Sequence, residues 1–168
     1  NVMEEDQLNL VYSFNDRLIV GGTVPVKTEV VLESIDPLKA GNFLDRREMG
    51  IINVGGKGKV IKKKKTYSME YKNALYLGSG TTGVRFVSDD PKNPAHFYIN
   101  SAPAHKSLPS KLITLDEAEI MELGALESSC ARRINKLIVH SIVETCQLQM
   151  GMTELQKGSV WNTMPPHV

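Results

Sequence analysis

The chain has 168 residues, a hydrophobic share of 41%, a charged share of 23% and a formal net charge of +1. That length holds one full domain with an ample core and part of a second, and so small a net charge supplies no field to gather nucleic acid or an acidic membrane surface. No apolar run approaches the roughly 18 residues of a spanning helix and no signal-peptide pattern opens the chain, so neither a membrane nor nucleic acid is expected as a partner.

Glycine and proline recur about every ten residues, with short β-branched runs between them. Those runs predict strands at Leu8–Tyr12, Arg17–Val20, Val24–Leu32, Gly50–Val54, Lys59–Ile61, Ala74–Leu77, Val84–Val87 and His96–Asn100. Thr114-Leu-Asp-Glu117 reads as a capping box, with too little periodicity after it for a long helix. Further strands are expected at Ile120–Leu123, Arg133–Val139 and Gln147–Leu155. In the last of these, Leu148, Met150 and Met152 fall on one face and Gln147, Gln149 and Thr153 on the other, the period of a half-buried strand. The fold class is therefore all-β, a sandwich or barrel. The division is expected near His140–Glu144, giving a barrel over residues 1–139 and the opening of a second over 140–168. The first residue is Asn1 rather than Met, and the chain is read as trimmed at both ends. Cys130 and Cys146 are two lone thiols without metal or redox spacing, which fits a reduced, cytoplasmic setting.

Four features carry chemistry or its imitation. Gly55-Gly-Lys-Gly-Lys59 has the glycines of a phosphate loop without the Walker spacing or the helix, and reads as a hairpin turn. Arg46-Arg47-Glu48 could bind a carboxylated sugar through the arginine fork or form an internal ion pair on a barrel strand. Lys62–Lys65 is a compact basic run with only Tyr67 as aromatic company, and reads as a solvated hairpin tip. The histidines at 96, 105, 140 and 167 form no H-x-H or H-x-x-x-H pair, so the chain offers no complete zinc site. His96 is expected in a strand wall and His105 in a loop, facing a pocket or bonding within the loop. His167 follows Pro165-Pro166, a rigid lead-in that suits a metal ligand as well as plain surface.

Several long words agree in order with one family. Asp16–Gly22, Phe43–Gly56, Ala74–Gly78, Asn93–Tyr98, Ala102–His105, Arg133–Lys136, Thr145–Leu155 and the Trp161–His167 lead-in resemble 5-dehydro-4-deoxy-D-glucuronate isomerase, also called 4-deoxy-L-threo-5-hexosulose-uronate ketol-isomerase. The resemblance implies a bicupin of two double-stranded β-helices, here the first barrel and the opening strands of the second. It also implies assembly as a homo-hexamer, a bacterial cytosolic setting, and a role in breaking down pectin-derived uronates. The reaction implied converts the keto-uronate 5-dehydro-4-deoxy-D-glucuronate to 3-deoxy-D-glycero-2,5-hexodiulosonate with the help of Zn2+.

In that family the metal is held in the second barrel by an H-x-H pair, a glutamate and a later histidine. The first of these matches His167, and the others are expected past Val168. The chain by itself is therefore expected to be inactive, and the first barrel metal-free, since Arg46, Arg47 and Glu48 stand where a cupin ligand pair would. No residue is assigned as the catalytic base. Lys62–Lys65 departs from the family pattern, and the resemblance leads one to expect a family leader ahead of Asn1. The competing reading is a non-catalytic cupin that binds sugar or builds an oligomer.

Overall fold

The computed structural model of the chain describes residues 2–161. Thirteen strands run in order: β1 (Leu8–Tyr12), β2 (Ile19–Thr23), β3 (Val30–Val31), β4 (Arg47–Asn53), β5 (Gly58–Lys62), β6 (Lys65–Met69), β7 (Ala74–Leu77), β8 (Val84–Ser88), β9 (Phe97–Pro103), β10 (Lys111–Ile113), β11 (Glu119–Leu123), β12 (Arg132–Ile138) and β13 (Met150–Leu155). They form a six-stranded sheet in the order β1-β2-β9-β4-β7-β10, a four-stranded sheet β3-β8-β5-β6, and a three-stranded sheet β11-β12-β13. The fold is all-β and of the cupin type, as the strand spacing and the family resemblance led one to expect. Among the described residues no helix is long and apolar enough to cross a membrane.

Alternation along each strand decides what lies between the sheets. Met49 and Ile51 of β4, Leu75 and Leu77 of β7, and Phe97 and Ile99 of β9 face the four-stranded sheet, where they meet Val60, Met69, Val84 and Phe86 in the barrel core. The intervening residues turn the other way. Ile52, Ala74, Tyr76, Ala102 and Ile113 form a second core with Leu137, Ile138, Val143, Leu148 and Met150. The central strands β4 and β7 are accordingly buried on both faces. Gly50 makes the second packing possible: a Cβ there would stand 2.3 Å from the Met150 sulfur and 2.8 Å from Ile138 Cδ1.

Most expected strands are present with shifted ends, and the departures have local causes. Of the expected Val24–Leu32, only Val30–Val31 forms a strand, while Val24 makes an isolated parallel bridge to Glu5. The Asp6 carboxylate accepts the backbone N–H groups of Val26, Lys27 and Thr28, so these cannot join a ladder. The expected hairpin at Gly55–Lys59 is instead a corner between sheets, because β4 pairs with β7 and β9 while β5 pairs with β6 and β8. Asn53 organises that corner, donating to Gly56 O and Met69 O and accepting from Gly55 N and His96 N. The capping box closes a single 3-10 turn at Leu115–Glu117, with the Glu117 carboxylate accepting the Thr114 N–H at 2.9 Å. Strands β6 and β10 are absent from the sequence reading, β6 because its lysine, threonine and serine hide the alternation of buried Tyr67 and Met69. The division expected between residues 139 and 140 falls between β12 and β13, which are antiparallel neighbours.

Candidate functional site

Arg47 and Glu48 are consecutive in β4, so their side chains leave opposite faces of the sheet. Both are nearly inaccessible, at 5% and 0% exposure. The internal ion pair considered from the sequence is not formed; each group finds its own surroundings.

Glu48 enters the second core. One carboxylate oxygen accepts the Tyr76 hydroxyl at 2.7 Å and the Cys146 N–H at 2.8 Å. The other accepts the N–H groups of Gln147 at 2.8 Å and Leu148 at 2.7 Å. Three successive backbone donors and a phenol thus satisfy a buried anion without a cation, in the manner of a backbone anion nest. Burial first, then the hydrogen bond to Glu48, raises the Tyr76 phenol above its ordinary value and keeps it a donor. This arrangement also explains why the expected strand over Gln147–Leu155 starts only at Met150: N–H groups turned toward one carboxylate are not available to a neighbouring strand.

Arg47 enters the mouth of the barrel. Its Nε donates to Ser101 Oγ at 3.1 Å, and its Nη2 donates to the carbonyls of Arg17 and Ser101, both at 2.7 Å. Ser101 in turn donates to the Glu48 carbonyl at 2.7 Å, so its hydroxyl is fully engaged. The guanidinium carbon lies 5.8 Å from the centre of the Tyr12 ring. Nη1 has no hydrogen-bond partner among the described residues. Arg47 lines a cleft of about 240 Å³ together with Tyr12, Arg17 and Arg46, with Pro37, Leu38, Phe43 and Pro103 as an apolar wall.

The electrostatics of the cleft are one-sided. Among the described residues, no ion pair within 4 Å involves Arg17, Arg46 or Arg47, whereas Arg85 and Arg133 each reach a glutamate. Arg46 donates to the carbonyls of Leu38 and Lys39. The acids nearest in sequence are occupied elsewhere. Asp16 is held low by Ser13 and Leu18, and Asp45 is held low chiefly by Asn42, with Arg46 a lesser influence. Burial pulls the Arg47 guanidinium below the usual arginine value, the Arg17 charge pulls it further, and Tyr12 opposes. The sequence pointed to Arg46 and Arg47 but missed Arg17, Tyr12 and Ser101, whose approach depends on β2 and β9 pairing side by side.

The other sequence candidates stay apart. His105 and His140 are exposed, His96 is half-buried in a strand lead-in, and none of them lines the cleft. Lys62–Lys65 is the tip of the β5–β6 hairpin, with Lys62 paired to Lys65 in register and Lys63 in the left-handed region. His167 lies outside the described residues. Among the described residues no three or more His, Cys, Asp or Glu side chains are grouped to hold a metal, so zinc has no fitting donor set there.

Comparison with known proteins places these features in a wider setting. Residues 2–168 match the KduI/IolB family. The 4-deoxy-L-threo-5-hexosulose-uronate ketol-isomerase of Formosa agariphila is 54% identical over 168 residues, which is 100% of this chain and 60% of that protein. The protein of the same name from Bacteroides fragilis is 54% identical over 167 residues, 99% of this chain and 60% of its own length. The chain thus spans about 60% of the length of these relatives. Among solved structures, an IolB-like protein from Salmonella typhimurium LT2 superposes with a TM-score of 0.63 at 15% identity, over 81% of this chain and 51% of that one, a likeness of fold.

Proposed function

The chain belongs to the KduI/IolB family, and from that premise we propose that it is the first barrel, and the entry to a second, of a ketol-isomerase of uronate breakdown. The observation that carries this reading is 54% identity across the whole chain to relatives bearing that name. The substrate is 5-dehydro-4-deoxy-D-glucuronate and the product 3-deoxy-D-glycero-2,5-hexodiulosonate, an aldose–ketose shift of hydrogen between C1 and C2 of an open-chain sugar acid. Homo-hexameric assembly and a cytoplasmic setting belong to the same proposal, through the family resemblance.

Zinc would serve such a reaction as a Lewis acid. His167 is its proposed ligand here, and the described residues offer no alternative set. What the described part contributes is placement. Glu48 fastens Cys146, Gln147 and Leu148 to the centre of β4. That fixes where the chain leaves the first barrel for β13.

The test joins this chain to the remaining portion its relatives carry and measures zinc content and isomerase turnover on 5-dehydro-4-deoxy-D-glucuronate. His167→Ala should lower both together, while replacing Lys62–Lys65 with serines should leave turnover nearly unchanged. A folded, zinc-loaded protein of that length without turnover would leave the non-catalytic, sugar-binding reading in its place.

A further inference from the structure

We propose that the arginine cleft at the mouth of the first barrel is a binding site for the carboxylate of a small sugar acid, anchored by Arg17 and Arg47 with the ring seated against Pro37, Leu38, Phe43 and Pro103. The cleft differs in its convergence of charge from other hollows among the described residues. A hollow of about 490 Å³ beside β1 and β3 has Glu33 as its one charged lining residue, and one of about 380 Å³ beside the β7–β8 turn has only Lys62. The arginine cleft is lined by three arginines and by no aspartate or glutamate.

Arg47 is preorganised for such a ligand. Nε and Nη2 are fixed by Ser101 and the Arg17 carbonyl, so the fork cannot swing away, and Nη1 is left to donate. Arg17 sits at φ 59° in the turn between β1 and β2, and its carbonyl accepts from Arg47. Its own guanidinium has no hydrogen bond or ion pair among the described residues. Two cations held near each other without an acid repel; an anion between them removes that repulsion and takes charge-assisted hydrogen bonds from both.

Size and polarity select the ligand. About 240 Å³ lies below the roughly 300–1,000 Å³ typical of drug-sized pockets, so the ligand is small. One wall is apolar, which suits a sugar ring carrying a single acid group better than a compact phosphate. The site stands on its own geometry and does not require the isomerase reading to hold.

The experiment is calorimetric titration of the 168-residue chain with D-glucuronate, D-glucose and inorganic phosphate at one ionic strength. D-Glucuronate should bind saturably, D-glucose not at all, and phosphate at least about tenfold more weakly than D-glucuronate, because phosphate leaves the apolar wall uncovered. Arg17→Asn keeps a residue that tolerates left-handed backbone and removes an exposed cation, so the fold is undisturbed. It should weaken D-glucuronate binding at least about tenfold, and Arg47→Met should abolish it. Absence of saturable D-glucuronate binding, unchanged affinity in folded Arg17→Asn, or phosphate binding as tight as D-glucuronate would each overturn the proposal. Because binding is read directly, a protein without isomerase turnover still decides it.

Discussion

Two neighbours on one strand, Glu48 and Arg47, are buried charges with opposite fates. Glu48 meets a closed wall in which four donors converge on its two oxygens. Arg47 lines an open cleft and makes its three bonds to Ser101 and Arg17 through Nε and Nη2, with Nη1 left without a partner among the described residues. A saturated buried charge is a fastening: nothing more can be bound by it, and removing it strands its donors. A buried charge with donors to spare is a receptor.

The largest test of that contrast is Glu48→Ala. It leaves three backbone N–H groups and the Tyr76 hydroxyl without their acceptor in the second core, and should cost about 3–5 kcal/mol in urea unfolding, as breaking one side of a buried charged network does. Hydrogen exchange at Cys146, Gln147 and Leu148 should accelerate with it. Arg47→Met, with no more than three bonds lost and a buried charge removed, should cost about 1–2 kcal/mol. If the two variants are equally destabilised, Arg47 is a fastening as well and the contrast fails.

Gly50→Val asks whether the closed wall depends on close approach. The new side chain collides with Met150 and Ile138, and overpacking of this kind costs about 1–3 kcal/mol. The damage should appear in exchange rates of β12 and β13 while the barrel core around Val60 and Phe86 keeps its protection. Uniform loss of protection would mean that the two cores do not separate.

The smallest effect concerns the rim of the closed side, where Lys72 pairs with Glu154 of β13. The Glu154 carboxylate is held below its usual value, first by the hydrogen bond from Lys72 and then by Asn135. A depressed carboxylate contributes stability above its unfolded value, which is lost as pH falls through the folded one. Stability should therefore decline on acidification below about pH 4.5, and Lys72→Met should flatten that slope by less than about 1 kcal/mol, the range of partly exposed pairs. An unchanged slope would remove Lys72 from the account.

Much of this molecule can be read from its residues, because strand formation is largely local. Leu8–Tyr12 and Ala74–Leu77 have the predicted ends, since β-branched and aromatic residues bounded by glycine or polar turns leave the backbone little choice. The lysine run reads correctly as a hairpin tip for the same reason. Even the separation of Arg47 from Glu48 is implicit in the period of a strand, but the strand was expected to begin at Gly50, three residues too late to apply it. What no local pattern contains is the identity of the groups that meet each face. The donors to Glu48 come from 28 residues away at Tyr76 and from 98 to 100 residues away at Cys146–Leu148, and the Arg17 carbonyl reaches Arg47 across 30. Such partners are brought together only when six strands order themselves by pairing and a third sheet packs behind them, because a charge buried within a core takes its meaning from whatever surface closes over it.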